Sequence, residues 1–280
     1  GLAVSGVAAV AMTYIGEEIA QKDIGLAMGL YISGTAIGGM GGRLIAGVLV
    51  DFISWQSATY IIGFINLIIA CLFYLLLPKS QHFQPYPFRF SRFKAAFEQN
   101  LKDRKLRILF AEGFILMGCL VTVFNYISYH LLEAPFQLSQ SWIGLISIAY
   151  LAGIYSSSKA AQWSFKYGRA KVLPLMLLMM IAGLLITLIP ALWAILLGLI
   201  IFAFAFFAAH STASSWVSVQ AIQYRAVAAS LYLFCYYIGS SLLGSSGGLI
   251  WENFGWIGIN LSVVLVLAFG LILSIRLKAL

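Results

Sequence analysis

Nine stretches of apolar residues, about 2–16, 25–49, 56–77, 108–130, 142–163, 172–190, 192–218, 227–250 and 257–275, restrict this chain more than any other feature. About 20 apolar residues form a helix that crosses the hydrocarbon core of a bilayer. In that core each segment must satisfy its own backbone hydrogen bonds, so the stretches are expected to be helices. The alternating pattern of a membrane barrel is absent. Composition agrees, with 62% of the 280 residues hydrophobic and 9% charged, where soluble domains carry about 25% charge. Cys71, Cys119 and Cys235 sit singly inside apolar runs, which argues against a disulfide framework or a zinc site. No metal or other cofactor is expected.

Charge fixes the expected orientation. The basic residues gather in alternate links: Lys22, then the link 79–107, then Lys159 to Lys171, then Arg225, and finally Arg276 and Lys278 in the tail. The links around Asp51, Glu133, Pro190 and Glu252 hold no Lys or Arg. Spread this way, the 17 basic residues form no soluble face for nucleic acid. The positive-inside rule makes their side cytoplasmic, the C-terminus included. In the link 79–107, Phe90, Phe93, Phe97 and Leu101 recur at helical spacing among Arg92, Lys94, Lys102 and Arg104. That pattern predicts an amphipathic helix on the inner membrane surface. A start at Gly1 without Met reads as a longer protein cut within a helix, with a processed N-terminus as the alternative.

An internal repeat orders the spans. Ala27-Met28-Gly29-Leu30-Tyr31 matches Ala228-Ala229-Ser230-Leu231-Tyr232, Ile37-Gly38 matches Ile238-Gly239, and Gly47 matches Gly248. Asp51 answers Glu252 and Trp55 matches Trp256, all at the single offset 232 − 31 = 201. Both copies run inside to outside, so the repeat is parallel and span two corresponds to span eight. Spans three, six and nine are the plainest; residues 172–189 hold Thr187 as their single polar side chain. Such helices can face lipid, whereas helices beside a water-filled path cannot be greasy all round.

A parallel repeat six helices apart resembles the two halves of major-facilitator transporters. The resemblance covers essentially the whole chain and lies near the arabinose-efflux and multidrug-efflux branch. It implies an all-α membrane protein with the major-facilitator fold, nine transmembrane helices present of an expected twelve, corresponding to helices 4–12. Residues 1–78 would be the second half of the N-terminal six-helix bundle, 79–107 the cytoplasmic linker, and 108–280 the C-terminal bundle. Three motifs carry the likeness. Gly34-Thr35-Ala36-Ile37-Gly38-Gly39 resembles the G-P-x-x-G-G core of the helix-5 antiporter motif, with Thr35 in place of the proline. Gly34, Gly38 and Gly42 also fall at a spacing that lets two helix backbones approach. Phe165-Lys166-Tyr167-Gly168-Arg169-Ala170-Lys171 resembles the second half of the D-R-x-G-R-[KR] loop, an inner gate in the family, with Phe165 where the acid belongs. Topology-setting charge is the other reading of Lys166, Arg169 and Lys171. Glu17-Glu18 resembles the acidic turn before the helix 4–5 loop. Asp51, at the outer end of the same span as the glycines, joins the gate set.

Ionisable groups within spans are candidate functional groups, because charge at the bilayer centre costs about 2.5–3.5 kcal/mol or more. Arg43 either faces the central cavity, meeting an anionic substrate or an acid, or snorkels to the outer surface. Glu112 either carries a proton or forms a helix-entry pair with Arg107. His210, in a polar run with Ser211, Thr212, Ser214, Ser215 and Trp216, either relays protons or is a satisfied buried histidine. Asn125, Tyr126 and Tyr129 with Tyr232, Tyr236 and Tyr237 offer aromatic faces with polar tips, suited to an organic substrate or to the interfacial belt.

Gly244-Ser245-Ser246-Gly247 fits an intramembrane serine protease pattern, but no His follows His210, and the repeat gives this stretch a packing role. No P-loop is present. The chain is therefore expected to be no enzyme but a secondary transporter in the bacterial inner (plasma) membrane. It would be monomeric, and would couple efflux of a small organic compound (drug, sugar or metabolite) to protons by alternating access, the coupling being implied by the resemblance. A facilitator or uptake permease of the same fold, or a polytopic protein without transport activity, are the alternatives.

Overall fold

The computed structural model describes residues 24–81, 90–221 and 224–279, together with Val7, Val10, Ala11, Tyr14, Ile15, Glu18 and Ile19. The described elements are helical: α1 (Ile24–Phe52), α2 (Trp55–Leu76), α3 (Phe90–Lys102), α4 (Arg104–Leu132), α5 (Gln140–Ile146), α6 (Tyr150–Tyr167), α7 (Arg169–Ile186), α8 (Leu192–Gln220) and α9 (Arg225–Ala279). Eight of the nine expected spans are accounted for, and the span 2–16 lies largely outside the described residues. The amphipathic linker helix is α3, with Ala96 and Asn100 buried and Phe90, Phe93, Phe97 and Leu101 exposed.

Three spans differ in detail from the sequence reading. The fifth is not one helix but α5 and α6 joined by a 3-10 turn at Ser147–Ala149. Ser147 donates its hydroxyl to the Gly144 carbonyl (2.6 Å) and to Met40 of α1 (3.1 Å). Such back-bonding competes with the helix ladder. The last two spans form one run, α9, broken only at Gly255 (φ 56°, ψ −148°). That backbone region is open to glycine and almost nothing else. Gly255→Ala is expected to cost about 1–3 kcal/mol, read as a lower melting temperature in detergent; an unchanged Tm would count against a strained corner.

The helices pack around α4, on which Leu109, Leu116 and Val123 are fully buried. The first limb of α9, 225–254, runs along α4 so closely that a Cβ on Gly239 would overlap the Phe114 carbonyl oxygen. The second limb, 256–279, returns in the opposite direction: a Cβ on Gly270 would lie 3.2 Å from Ile115 Cγ2. Helices α7 and α8 meet at Gly183 and Gly198, the small-residue contact expected where no hydrophobic effect drives helices together. Asn260 on the second limb donates to the Leu184 carbonyl (2.8 Å) and to Thr187 Oγ1 (3.0 Å) of the α7 end, so the one polar side chain of that plain span is satisfied. Helix α2 rests on α1 and buries only Ala58 among its residues. Its remaining apolar surface has the character of a lipid-facing helix.

The glycines of α1 behave differently from the expectation of close backbone contact. A Cβ at Gly34, Gly38 or Gly42 would meet nothing within 4 Å among the described residues. The helix instead touches α4, α5 and α6 through Met40, Arg43, Gly47 and Asp51. That face lies on the opposite side of the helix, about 180° from the Gly34–Gly38–Gly42 face at 100° per residue.

Candidate functional site

Arg43 lies nine residues before the end of α1, about 13 Å along the helix axis, and its head turns inward. The guanidinium donates to the Phe124 carbonyl (3.2 Å) and to Asn125 Oδ1 (3.1 Å), both on α4. It also lies 5.7 Å from the centre of the Phe124 ring. Of the two positions open to it in sequence, the interior is the one occupied. Three cavities share Arg43 as a lining residue.

The central one, about 330 Å³, sits between α1 and the helices α4, α6, α8 and α9. Met117 and Val121, at the midpoint of α4, form part of its wall. Arg43, His210, Tyr236 and Tyr237 line it as candidates from the sequence, and Tyr31, Tyr150, Phe206 and Phe207 join them. The added aromatics have no polar neighbours to single them out, except Tyr31, which the repeat equates with Tyr232. The rings touch in series: Phe124 with Tyr150 (4.8 Å), Tyr150 with Phe207 (5.5 Å), Phe207 with Phe206 (5.0 Å), Phe206 with His210 (6.0 Å) and His210 with Tyr236 (4.7 Å). One aromatic wall thus leads from the arginine to the histidine.

A second cavity of about 520 Å³ opens beyond Arg43, at the end of the bundle away from the basic links. Asn125, Tyr126, Tyr129, Trp251 and Glu252 line it. Tyr126 donates to the Gly244 carbonyl (3.0 Å), and its ring lies 6.1 Å from Trp251. The candidates from the sequence therefore divide between two chambers, with Arg43 and Phe124 between them. Trp216 lines neither; it is half-buried on α8, six residues past His210.

His210 is buried, and its Nδ1 is 2.8 Å from the Tyr232 hydroxyl. Behind Tyr232 lies Glu112, with 0% exposure. A Cβ on its neighbour Gly113 would be 2.8 Å from the Tyr232 ring, and one on Gly270 would be 3.3 Å from Glu112 Oε2. Neither carboxyl oxygen has a hydrogen-bond partner. The helix-entry pair with Arg107 does not form. Five residues along a helix turn the side chains about 140° apart, so Arg107 is exposed while Glu112 points into the packing between α4 and both limbs of α9.

At the end remote from the basic links, α1 is latched to α5. Asp51 accepts hydrogen bonds from the backbone N–H groups of Gln140 (3.1 Å) and Ser141 (2.8 Å). Those are first-turn amides without a partner inside their helix, and Ser139, the residue at the cap position, supplies no side-chain bond of its own. A carboxylate there also meets the favourable end of the helix dipole. Below it, a Cβ on Gly47 would lie 2.5 Å from the Gln140 carbonyl oxygen, so the two backbones nearly touch. Asp51→Ala is expected to loosen this seam and to speed maleimide labelling of a Ser128→Cys reporter, which lines both cavities beside it. An unchanged labelling rate would show that the latch holds nothing.

At the basic end, Gly168 (φ 85°) is the single residue between α6 and α7. Arg169 donates from Nε to Ser215 Oγ of α8 (3.4 Å), whereas Lys166 lies over the Tyr167 ring (5.1 Å) and Lys171 is exposed. Gly39 touches Tyr150, but Gly34 and Gly38 touch no described residue. Glu18 accepts from the Gln81 backbone N–H (3.0 Å) and from the Ser80 hydroxyl; Glu17 lies outside the described residues.

These chambers belong to a known architecture. The family model described as Major Facilitator Superfamily matches residues 1–244. The chain belongs to that superfamily. It is 49% identical over 278 residues to an uncharacterized transporter of Buchnera aphidicola subsp. Schizaphis graminum, covering 99% of this chain and 67% of that one. It is 48% identical over 277 residues to the inner membrane transport protein YnfM of Escherichia coli, covering 99% and 66%. The chain thus spans about two thirds of the length of the curated relatives it matches. Among solved structures, the superfamily transporter FucP in the outward conformation aligns with a TM-score of 0.63, at 17% identity, over 92% of this chain and 69% of that one. That likeness establishes the fold. The chain is a multi-pass membrane transporter of this superfamily and not an enzyme.

Proposed function

We propose that the protein exports a small organic compound across the bacterial inner membrane in exchange for protons, by alternating access. The central cavity supports this reading most directly: a chamber of about 330 Å³ at mid-depth, with α1 on one side and α4, α6, α8 and α9 on the other. In this scheme residues 1–78 belong to one rocking bundle and 108–280 to the other, linked through 79–107. The basic links and the C-terminus face the cytoplasm, so the Asp51 seam closes the chamber toward the outside. Arg43, His210 and Tyr236 contact substrate in the central chamber, and Asn125, Tyr126 and Tyr129 line its outward path. Glu112 takes up the proton. A carboxylate charge in its unpartnered place would carry a desolvation cost of several kcal/mol, so ionisation there must be tied to opening of the packing around it. Gly168, Lys166 and Arg169 act at the inner gate, and a single copy suffices.

The test needs no substrate. A Leu233→Cys side chain in the central cavity, in a protein whose Cys71, Cys119 and Cys235 are replaced by Ser, is exposed to a membrane-impermeant maleimide. Labelling is expected in both right-side-out and inside-out vesicles. Labelling from one face alone would overturn alternating access.

A further inference from the structure

Arg43 is a cation inside the membrane, and no carboxylate of the described residues forms an ion pair with it, although Glu252 lines the outer cavity that it shares. Its neighbours are uncharged: the Phe124 carbonyl and the Asn125 amide oxygen accept hydrogen bonds from it, and the Tyr150 hydroxyl lies within hydrogen-bonding reach. No Asp or Glu is among the described residues that line the central cavity. A buried charge of this kind is costly unless an anion meets it. Guanidinium presents five N–H donors in a planar fork that suits two-oxygen anions. The bonds to Phe124 and Asn125 engage one donor on each terminal nitrogen.

The remainder of the chamber is aromatic. Tyr150 and Phe207 stand edge to face 5.5 Å apart, and His210 and Tyr236 follow at the far end. Rings with polar edges favour a flat, unsaturated ligand. The volume of about 330 Å³ lies at the low end of the range of about 300–1,000 Å³ for small-molecule sites. That size fits one or two rings. We infer that the transported compound is a small aryl anion, a carboxylate or sulfonate whose charged group sits on Arg43 and whose ring lies along the Tyr150–Phe207–His210 wall. The inference rests on the transport reading and supplies its substrate class. Sugars, neutral drugs and organic cations are the classes it excludes.

The probes are benzenesulfonate and 4-hydroxybenzoate, each paired with its uncharged amide, and benzyltrimethylammonium as a cation of similar size. Binding to the intact purified protein in nanodiscs is measured by equilibrium dialysis. The anions are expected to bind at least about tenfold more tightly than their amides, the discrimination expected from a charge-assisted pair worth about 1.5–3 kcal/mol. The cation is expected not to compete. Arg43→Gln should erase the preference for anion over amide, and Arg43→Lys should retain part of it. Comparing anion with amide on the unaltered protein keeps the test independent of whether these variants fold. Equal affinity for anion and amide, stronger binding of the cation, or no binding of either anion would each overturn the proposal. A chamber labelled from both faces of the membrane but indifferent to anions would refute the substrate class and leave alternating access standing.

Discussion

Glu112→Gln is expected to cut proton-driven flux by about a hundredfold or more, within the range of about 10²–10⁴ for a positioned proton-transfer group. The amide keeps the size of the carboxyl and removes its capacity to ionise. Stability should change by less than about 1 kcal/mol, because no partner is lost: both carboxyl oxygens already lack hydrogen bonds. The readout is benzenesulfonate flux in proteoliposomes, first against a pH gradient and then as counterflow at equal pH. Counterflow needs only the alternation of the chamber, so it should survive within about twofold while gradient-driven flux collapses. Equal loss of both would give Glu112 a structural role. Retention of both would move proton coupling elsewhere.

Gly239→Leu should damage the fold more than any other single change considered. A Cβ at this position would overlap the Phe114 carbonyl oxygen and lie 2.8 Å from its Cα, and backbone cannot turn aside as a side chain can. The two helices would have to part along their most intimate contact. Overpacking of this kind costs about 1–3 kcal/mol, occasionally more. Gly244→Ala, five residues along the same limb, is the control, because its Cβ would meet only the Val121 side chain, at 3.1 Å. Melting temperature and monodisperse yield in detergent should fall sharply for the first variant and little for the second. Similar behaviour of the two would mean that the α4–α9 approach is looser than described.

Much of the fold is legible in the chain because a bilayer imposes length. Every crossing requires about 20 apolar residues, and α1, α2, α4, α7 and α8 each overlie one such run. Facing is harder to read than span, because which side of a helix meets a neighbour depends on rotation set by packing. Glycine spacing at Gly34, Gly38 and Gly42 marks a face of α1 that no described helix occupies, while Gly47, which carries no such pattern, makes the tight contact. Tyr150 and Phe207 line the chamber from stretches that read as ordinary greasy helix. Arg43 stands out as the one basic residue deep within a span, Lys159 lying near the basic end of its own, and its direction is set by its two acceptors on α4. Glu112 was found by its charge, and its isolation only by its rotation about α4.

The corner at Gly255 leaves no slack between the limbs of α9. They flank α4 as a two-pronged fork. Tyr232 on one prong and Gly270 on the other lie beside the Glu112 region. On the proton-coupled reading proposed above, a swivel of the fork that shuts or opens the chamber at Tyr236 would admit or expel water at that carboxyl in the same stroke.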